Sequence, residues 1–121
     1  MHRFTMVFIA ISALLASAGY AKDLKAETGA IDPARQLQLV RMVRQDCGSC
    51  HGIQLTGGLG PALTRDRMAD FPFDSLVATI FHGRPGTPMP GWKSMITEAD
   101  AQWIARQLQT GFPLEAGKVS P

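Results

Sequence analysis

The stretch Gly83 to Trp92, GRPGTPMPGW, puts three prolines and three glycines into ten residues. No helix or regular strand tolerates that density. Each proline locks φ and removes an N–H donor, and each glycine costs extra entropy to order. The segment must be a stiff, irregular loop. A second such stretch, GIQLTGGLGPALT at residues 52–64, carries four glycines and a proline. Long loops without secondary structure are uncommon in a compact domain unless they bind something. The fold must therefore wrap two Gly/Pro loops around an object.

Between the loops the pattern is helical. Asp32 and Pro33 make an N-cap and N1 pair. Leu37, Val40, Val43 and Cys47 then recur every third or fourth residue, flanked by Leu39 and Met42. This predicts an amphipathic helix that delivers Cys47 at its end. A second helix is expected from near Asp74 through Leu76, Val77, Ile80 and Phe81, with Gly83 as its stop. Thr97 and Asp100 form a capping-box-like start for a third. Ala101, Ile104, Ala105 and Leu108 make its apolar face, and Gly111 ends it. No segment alternates with period two, and there is no internal repeat. The expected class is all-α, with three helices joined by two long loops.

The beginning of the chain reads differently. Met1, His2 and Arg3 precede an uncharged apolar run, Phe4 to Ala16, followed by small residues that offer cleavage after Ala18 or Ala21. That is the pattern of a secretory signal peptide. An uncleaved anchor is the rival, but the run barely reaches spanning length, and the polar KDLKAET follows it. The expected organisation is a signal at 1–21, a flexible leader at 22–31 and one domain at 32–121, with no membrane contact once the signal is removed. Losing Arg3 leaves 11 basic and 10 acidic side chains. A charge so close to zero argues against nucleic acid or an anionic membrane as partner. A domain of about 100 residues often needs a disulfide, a metal or a cofactor to hold it.

Only two cysteines are present, in DCGSCHG at residues 46–52. A disulfide would close a very small loop and gain little. A thioredoxin-like pair calls for a βαβ setting that is missing. Zinc would need Cys47, Cys50, His51 and His82 in a spacing that matches no usual pattern. The fourth reading is covalent haem, for which C-x-x-C-H is the attachment signature. On a helical turn, positions i, i+3 and i+4 share a face. Cys47 and Cys50 can then add to the two vinyl groups, and His51 can reach the iron. Export suits this attachment, which is made outside the cytoplasm. Haem is the favoured reading.

A haem iron has a second axial position. Met42, Met68, Met89, Met95 and His82 are the candidates. Met42 reads as core, and Met68 and Met95 as packing or surface. Met89 stands between Pro88 and Pro90 in the stiff loop, which would present a weak thioether ligand at little entropic cost. Met89 is favoured, and His82, at a helix end, is the challenger. Trp92 behind the loop could lie against haem and donate its N–H there.

Together, these motifs resemble the class I monohaem cytochrome c family over nearly all of the proposed domain. The resemblance rests on C-x-x-C-H, Gly60-Pro61-Ala62-Leu63, Met89-Pro90 and the closing helix. It implies one haem c, a Pro61 carbonyl accepting from the His51 imidazole, Leu63 packed on the haem face, and crossed first and last helices. CGSCHG, GGLGPALT, ATIFHGRPGTPMPGW and EADAQWIARQL are similar, more narrowly, to the periplasmic cytochrome c55X family that accompanies cytochrome cd-type nitrite reductase. This implies a monomeric periplasmic one-electron carrier, not an enzyme, that serves nitrite reductase in denitrification. The alternatives are a part in maturing that reductase's d-type haem, service to another exported enzyme, or ligand-binding haem chemistry should Met89 be labile. An exposed patch of Leu55, Gly58, Leu59, Pro85 and Pro88, rimmed by Arg65, Arg84 and Lys93, is expected to meet the partner.

Overall fold

In the computed structural model, which describes residues 30–113, Asp32 opens the first helix as expected. Its carboxylate accepts from the Arg35 N–H at 3.0 Å, and Pro33 begins α1 (Pro33–Met42). The proposed signal peptide and nearly all of the leader lie outside the described residues. Ile31, assigned to the leader in the sequence reading, packs half-buried against the core instead. Its carbonyl accepts from the Gln36 amide at 2.8 Å.

The first helix is not α-helical to its end. After Met42 it widens into a π-helical turn, Val43–Cys47, and then resumes as a short α2 (Gly48–His51). An additional turn of helix, α3 (Arg65–Met68), follows the first loop and was not anticipated. It buries Met68 in the core. α4 (Phe73–His82) buries Leu76, Val77 and Ile80 and stops at Gly83, whose φ is 78°. α5 (Glu98–Thr110) has the full capping box. The Asp100 N–H donates to Thr97 Oγ1 at 3.1 Å, and the Thr97 N–H to Asp100 Oδ2 at 2.9 Å.

The apolar faces meet in one cluster. Leu39 and Val43 from the first helix join Leu76, Val77 and Ile80 of α4 and Ala101, Ile104, Ala105 and Leu108 of α5. Burying each large aliphatic side chain contributes about 1.5–3 kcal/mol. Ala101 and Ala105 are fully buried, and side chains this small let neighbouring elements approach α5. α4 and α3 both pack on α5. A polar clasp ties α1 to the start of α5: Arg35 Nη2 lies 2.8 Å from Asp100 Oδ2, and its Nε donates to Oδ1 at 3.3 Å. Among the described residues there is no strand, and no helix is long and apolar enough to cross a membrane.

Candidate functional site

Cys47 closes the π turn, and Cys50 and His51 stand in α2. Both cysteines are free thiols, so the disulfide reading does not hold. Cys47 is half-buried, and burial, helped by the charge of Asp46, pushes its thiol up to about 11. It is therefore neutral at physiological pH. Cys50 is exposed. The zinc reading also fails: among the described residues, no three His, Cys, Asp or Glu side chains gather as metal ligands. Without a strand, the thiol-switch reading lacks its expected setting.

His51 is the most constrained polar group of the site. Its side chain is buried, and Nδ1 lies 2.7 Å from the Pro61 carbonyl oxygen. A carbonyl can only accept, so Nδ1 carries a proton, and in the neutral imidazole this tautomer leaves the lone pair on Nε2. Gly60 makes this possible. A Cβ at position 60 would fall 2.8 Å from both Cε1 and Nδ1 of His51, so the imidazole lies directly on the glycine backbone.

Residues 52–64 are pinned to the attachment turn by backbone bonds. The Gly57 N–H donates to the His51 carbonyl and the Gly60 N–H to the Cys50 carbonyl, both at 2.8 Å. Leu55 corrects the sequence reading. Expected in an exposed patch, it is only 3% exposed and belongs to the core. Its φ is 58°, and its carbonyl accepts from the Leu63 N–H at 2.8 Å. This turn aims the side chain inward. Gly58 and Leu59 are exposed as expected, Leu59 at 93%.

The second loop is closed on itself at its base. The Arg84 N–H donates to the Met89 carbonyl at 3.2 Å, and the Trp92 N–H to the Ile80 carbonyl at 3.2 Å. A Cβ on Gly91 would sit 2.6 Å from the His82 carbonyl, and one on Gly83 would sit 2.6 Å from the Gly91 nitrogen. The chain therefore passes itself here with no room for side chains. Met89 is half-buried in this loop, while Pro85 and Pro88 are exposed. His82 is exposed and meets Phe81 edge-on at 5.0 Å. Trp92 and Leu63 are half-buried against the core, and so is Met42. Met95 is exposed. Arg65, Arg84 and Lys93 are all exposed.

Sequence reasoning missed Arg44. Its guanidinium donates to the carbonyls of Ile53 at 2.7 Å, of Pro113 at 3.1 Å and of Phe112 at 3.4 Å. Nothing in the local pattern signals this, because two of those acceptors lie at the far end of the chain. A cleft of about 230 Å³ beside α4 and α5, floored by Phe73, Val77 and Phe81, contains none of the candidate ligands.

The donor set fits a covalent haem. Two free thiols and an imidazole with a free Nε2 lie on consecutive helical turns, and the second nitrogen of that imidazole is held by a carbonyl. Comparison with known proteins agrees. Residues 34–106 match the family model described as cytochrome c oxidase, cbb3-type, subunit III. A cytochrome c55X of Stutzerimonas stutzeri is 54% identical over 79 residues, covering 65% of this chain and 70% of that one. A solved structure of a c-type cytochrome NirC is similar with a TM-score of 0.65 and 47% identity, covering 75% of this chain and all of that one. A dihydro-heme d1 dehydrogenase NirN, solved in complex with DHE, is similar with a TM-score of 0.55 and 29% identity, covering 68% of this chain but 16% of the dehydrogenase.

Proposed function

The chain belongs to the c-type cytochromes, and from that premise we propose that it is an exported, periplasmic one-electron carrier whose haem iron is held between His51 and Met89. Membership makes it an electron-transfer protein with covalently attached haem c and a small class I cytochrome c fold, not an enzyme. When bound, the haem supplies the ferric/ferrous couple. The chain's own residues do the rest. Cys47 and Cys50 would anchor the ring, and His51 would coordinate through Nε2. Pro61 keeps the Nδ1 proton in place, which sets the tautomer and makes the imidazole a better donor. Leu63 and Trp92, half-buried against the core, would pack toward the ring.

The observation that carries this reading is the His51 geometry: a buried imidazole, next to Cys50, with Nδ1 2.7 Å from the Pro61 oxygen. Met89 is favoured as the second ligand because Pro88 and Pro90 stiffen its loop and backbone bonds close the base of that loop, so little entropy would be lost on coordination. A thioether favours ferrous iron and raises the potential. In the holoprotein, Met89→Ala should abolish the long-wavelength methionine-to-ferric-haem band. The potential should fall by on the order of 0.1 V, within the roughly 0.8 V span that axial ligands command. An unchanged low-spin spectrum would remove Met89 as ligand and promote His82.

The partner favoured by similarity to cytochrome c55X and NirC is a cytochrome cd-type nitrite reductase. The similarity to a domain-sized part of the dihydro-heme d1 dehydrogenase favours a second reading, as a redox or binding partner in maturing the d-type haem. Fast reduction of purified nitrite reductase by the ferrous protein supports the carrier. Its absence, together with binding of a d-type haem precursor, supports the second.

A further inference from the structure

Arg44 stands in the π turn just before Cys47 and reaches segments on both sides of the site. Nη1 donates to the Ile53 carbonyl at 2.7 Å. Nε donates to the Pro113 carbonyl at 3.1 Å, and Nη2 to the Phe112 carbonyl at 3.4 Å and also to that of Pro113. The cation lies 5.4 Å above the Phe112 ring, which in turn meets Trp103 edge-on. A planar fork of five donors can hold several carbonyls at once, and an ammonium group cannot reproduce that geometry.

Ile53 is the sensitive end of this fork. It follows His51 by two residues and begins the loop that returns at Pro61. Its backbone is pressed against Gly48, between the two cysteines, where a Cβ would come within 3.3 Å of the Ile53 Cα. From there the loop is laced to the attachment turn at the His51 and Cys50 carbonyls, and it ends on the bond from His51 Nδ1 to Pro61. Holding the start of a loop this short constrains where its end can place a carbonyl.

We propose that Arg44 is a positioning residue for His51: its hold on the Ile53 carbonyl fixes the turn that presents the Pro61 carbonyl to the imidazole, and so tunes the donor strength of Nε2. This rests on His51 being the axial ligand. A firmer Nδ1–H···O=C bond makes the imidazole more basic and favours the oxidised metal. Loosening the bond should therefore shift the potential upward.

The test compares wild-type, Arg44→Lys and Phe112→Ala holoproteins. Lysine keeps the charge and loses the fork. Phe112→Ala removes the ring under the guanidinium and leaves every carbonyl in place. By NMR, the Nδ1 proton of His51 should exchange with solvent at least tenfold faster in Arg44→Lys than in wild type, with an upward shift in potential. Phe112→Ala should lower the melting temperature and leave exchange within twofold of wild type. Arg44→Gln, which retains one amide donor but no charge, should also speed exchange, with a smaller rise in potential. It carries the test if the lysine variant does not assemble. Wild-type exchange and potential in the Arg44 variants would overturn the proposal. So would equal acceleration in Phe112→Ala, which would reduce Arg44 to a general staple. Failure of the ligand reading itself would be visible in the wild type, as absence of paramagnetically shifted His51 resonances in the ferric protein.

Discussion

At the scale of single residues, Gly60 and His51 depend on one another. The imidazole cannot retreat, because the Pro61 carbonyl holds Nδ1 at 2.7 Å. A methyl group at position 60 would overlap the ring, 2.8 Å from two of its atoms. Gly60→Ala should therefore cost about 1–3 kcal/mol, the usual penalty for overpacking a rigid site. Thermal unfolding should show a loss of several degrees at the least, since 1 kcal/mol is worth about 4–8 °C in a domain of this size. An unchanged melting temperature would mean that the ring does not rest on this backbone. The contact between the Pro61 carbonyl and His51 was expected only through the family resemblance, because the glycine and proline alone signal no more than a turn. Leu55 was not. It sits among glycines, where the pattern suggests surface, and only its carbonyl bond with Leu63 and its place in the core turn it inward.

At the scale of elements, the start of α5 carries a buried carboxylate with two duties. Asp100 closes the capping box with Thr97 and pairs with Arg35 of α1. Burial pushes this carboxyl up, but the Arg35 guanidinium and the Thr97 N–H and hydroxyl outweigh it and hold it below the usual carboxylate range. A group lowered in the folded state adds stability above its unfolded value, near pH 4. That stability is lost as the pH falls through the folded value. Asp100→Asn should cost about 1–2 kcal/mol at neutral pH, allowing for the partial exposure of Arg35. The gap between variant and wild type should narrow at about pH 3. Melting curves at the two pH values check this, and a pH-independent gap would show that the cost does not come from the charge on the carboxylate. The cap was readable from Thr97 and Asp100 because it is local. The ion pair with Arg35 was not, and neither was the π turn. Apolar steps of four at Leu39, Val43 and Cys47 fit an α-helix loosely, and the wider turn absorbs the drift without a distinct residue signature.

At the scale of the molecule, the balance of charge bears on the partner. Without the proposed signal peptide the chain has 11 basic and 10 acidic side chains, and Arg65, Arg84 and Lys93 are exposed. Steered association falls steeply with ionic strength only when a concentrated field is present. Electron transfer to a cytochrome cd-type nitrite reductase should therefore slow by less than about tenfold between low and physiological salt, read by stopped-flow. A steeper loss would point to steering by those three cations. A rate that does not vary at all would leave the apolar surface around Leu59 as the contact.

The sequence by itself determined the chemistry of attachment, the caps at Asp32 and Thr97, and the presence of two stiff Gly/Pro loops. These depend on residue types a few positions apart, and short-range sterics and hydrogen bonding decide them. Only the tertiary structure decided that Leu55 is core, that the first helix widens before Cys47, and that Arg44 ties the start of the first loop to the segment that follows the last helix. The burial of Leu55 and the reach of Arg44 join groups far apart in the chain. Their partners are chosen by packing, which a local pattern does not contain.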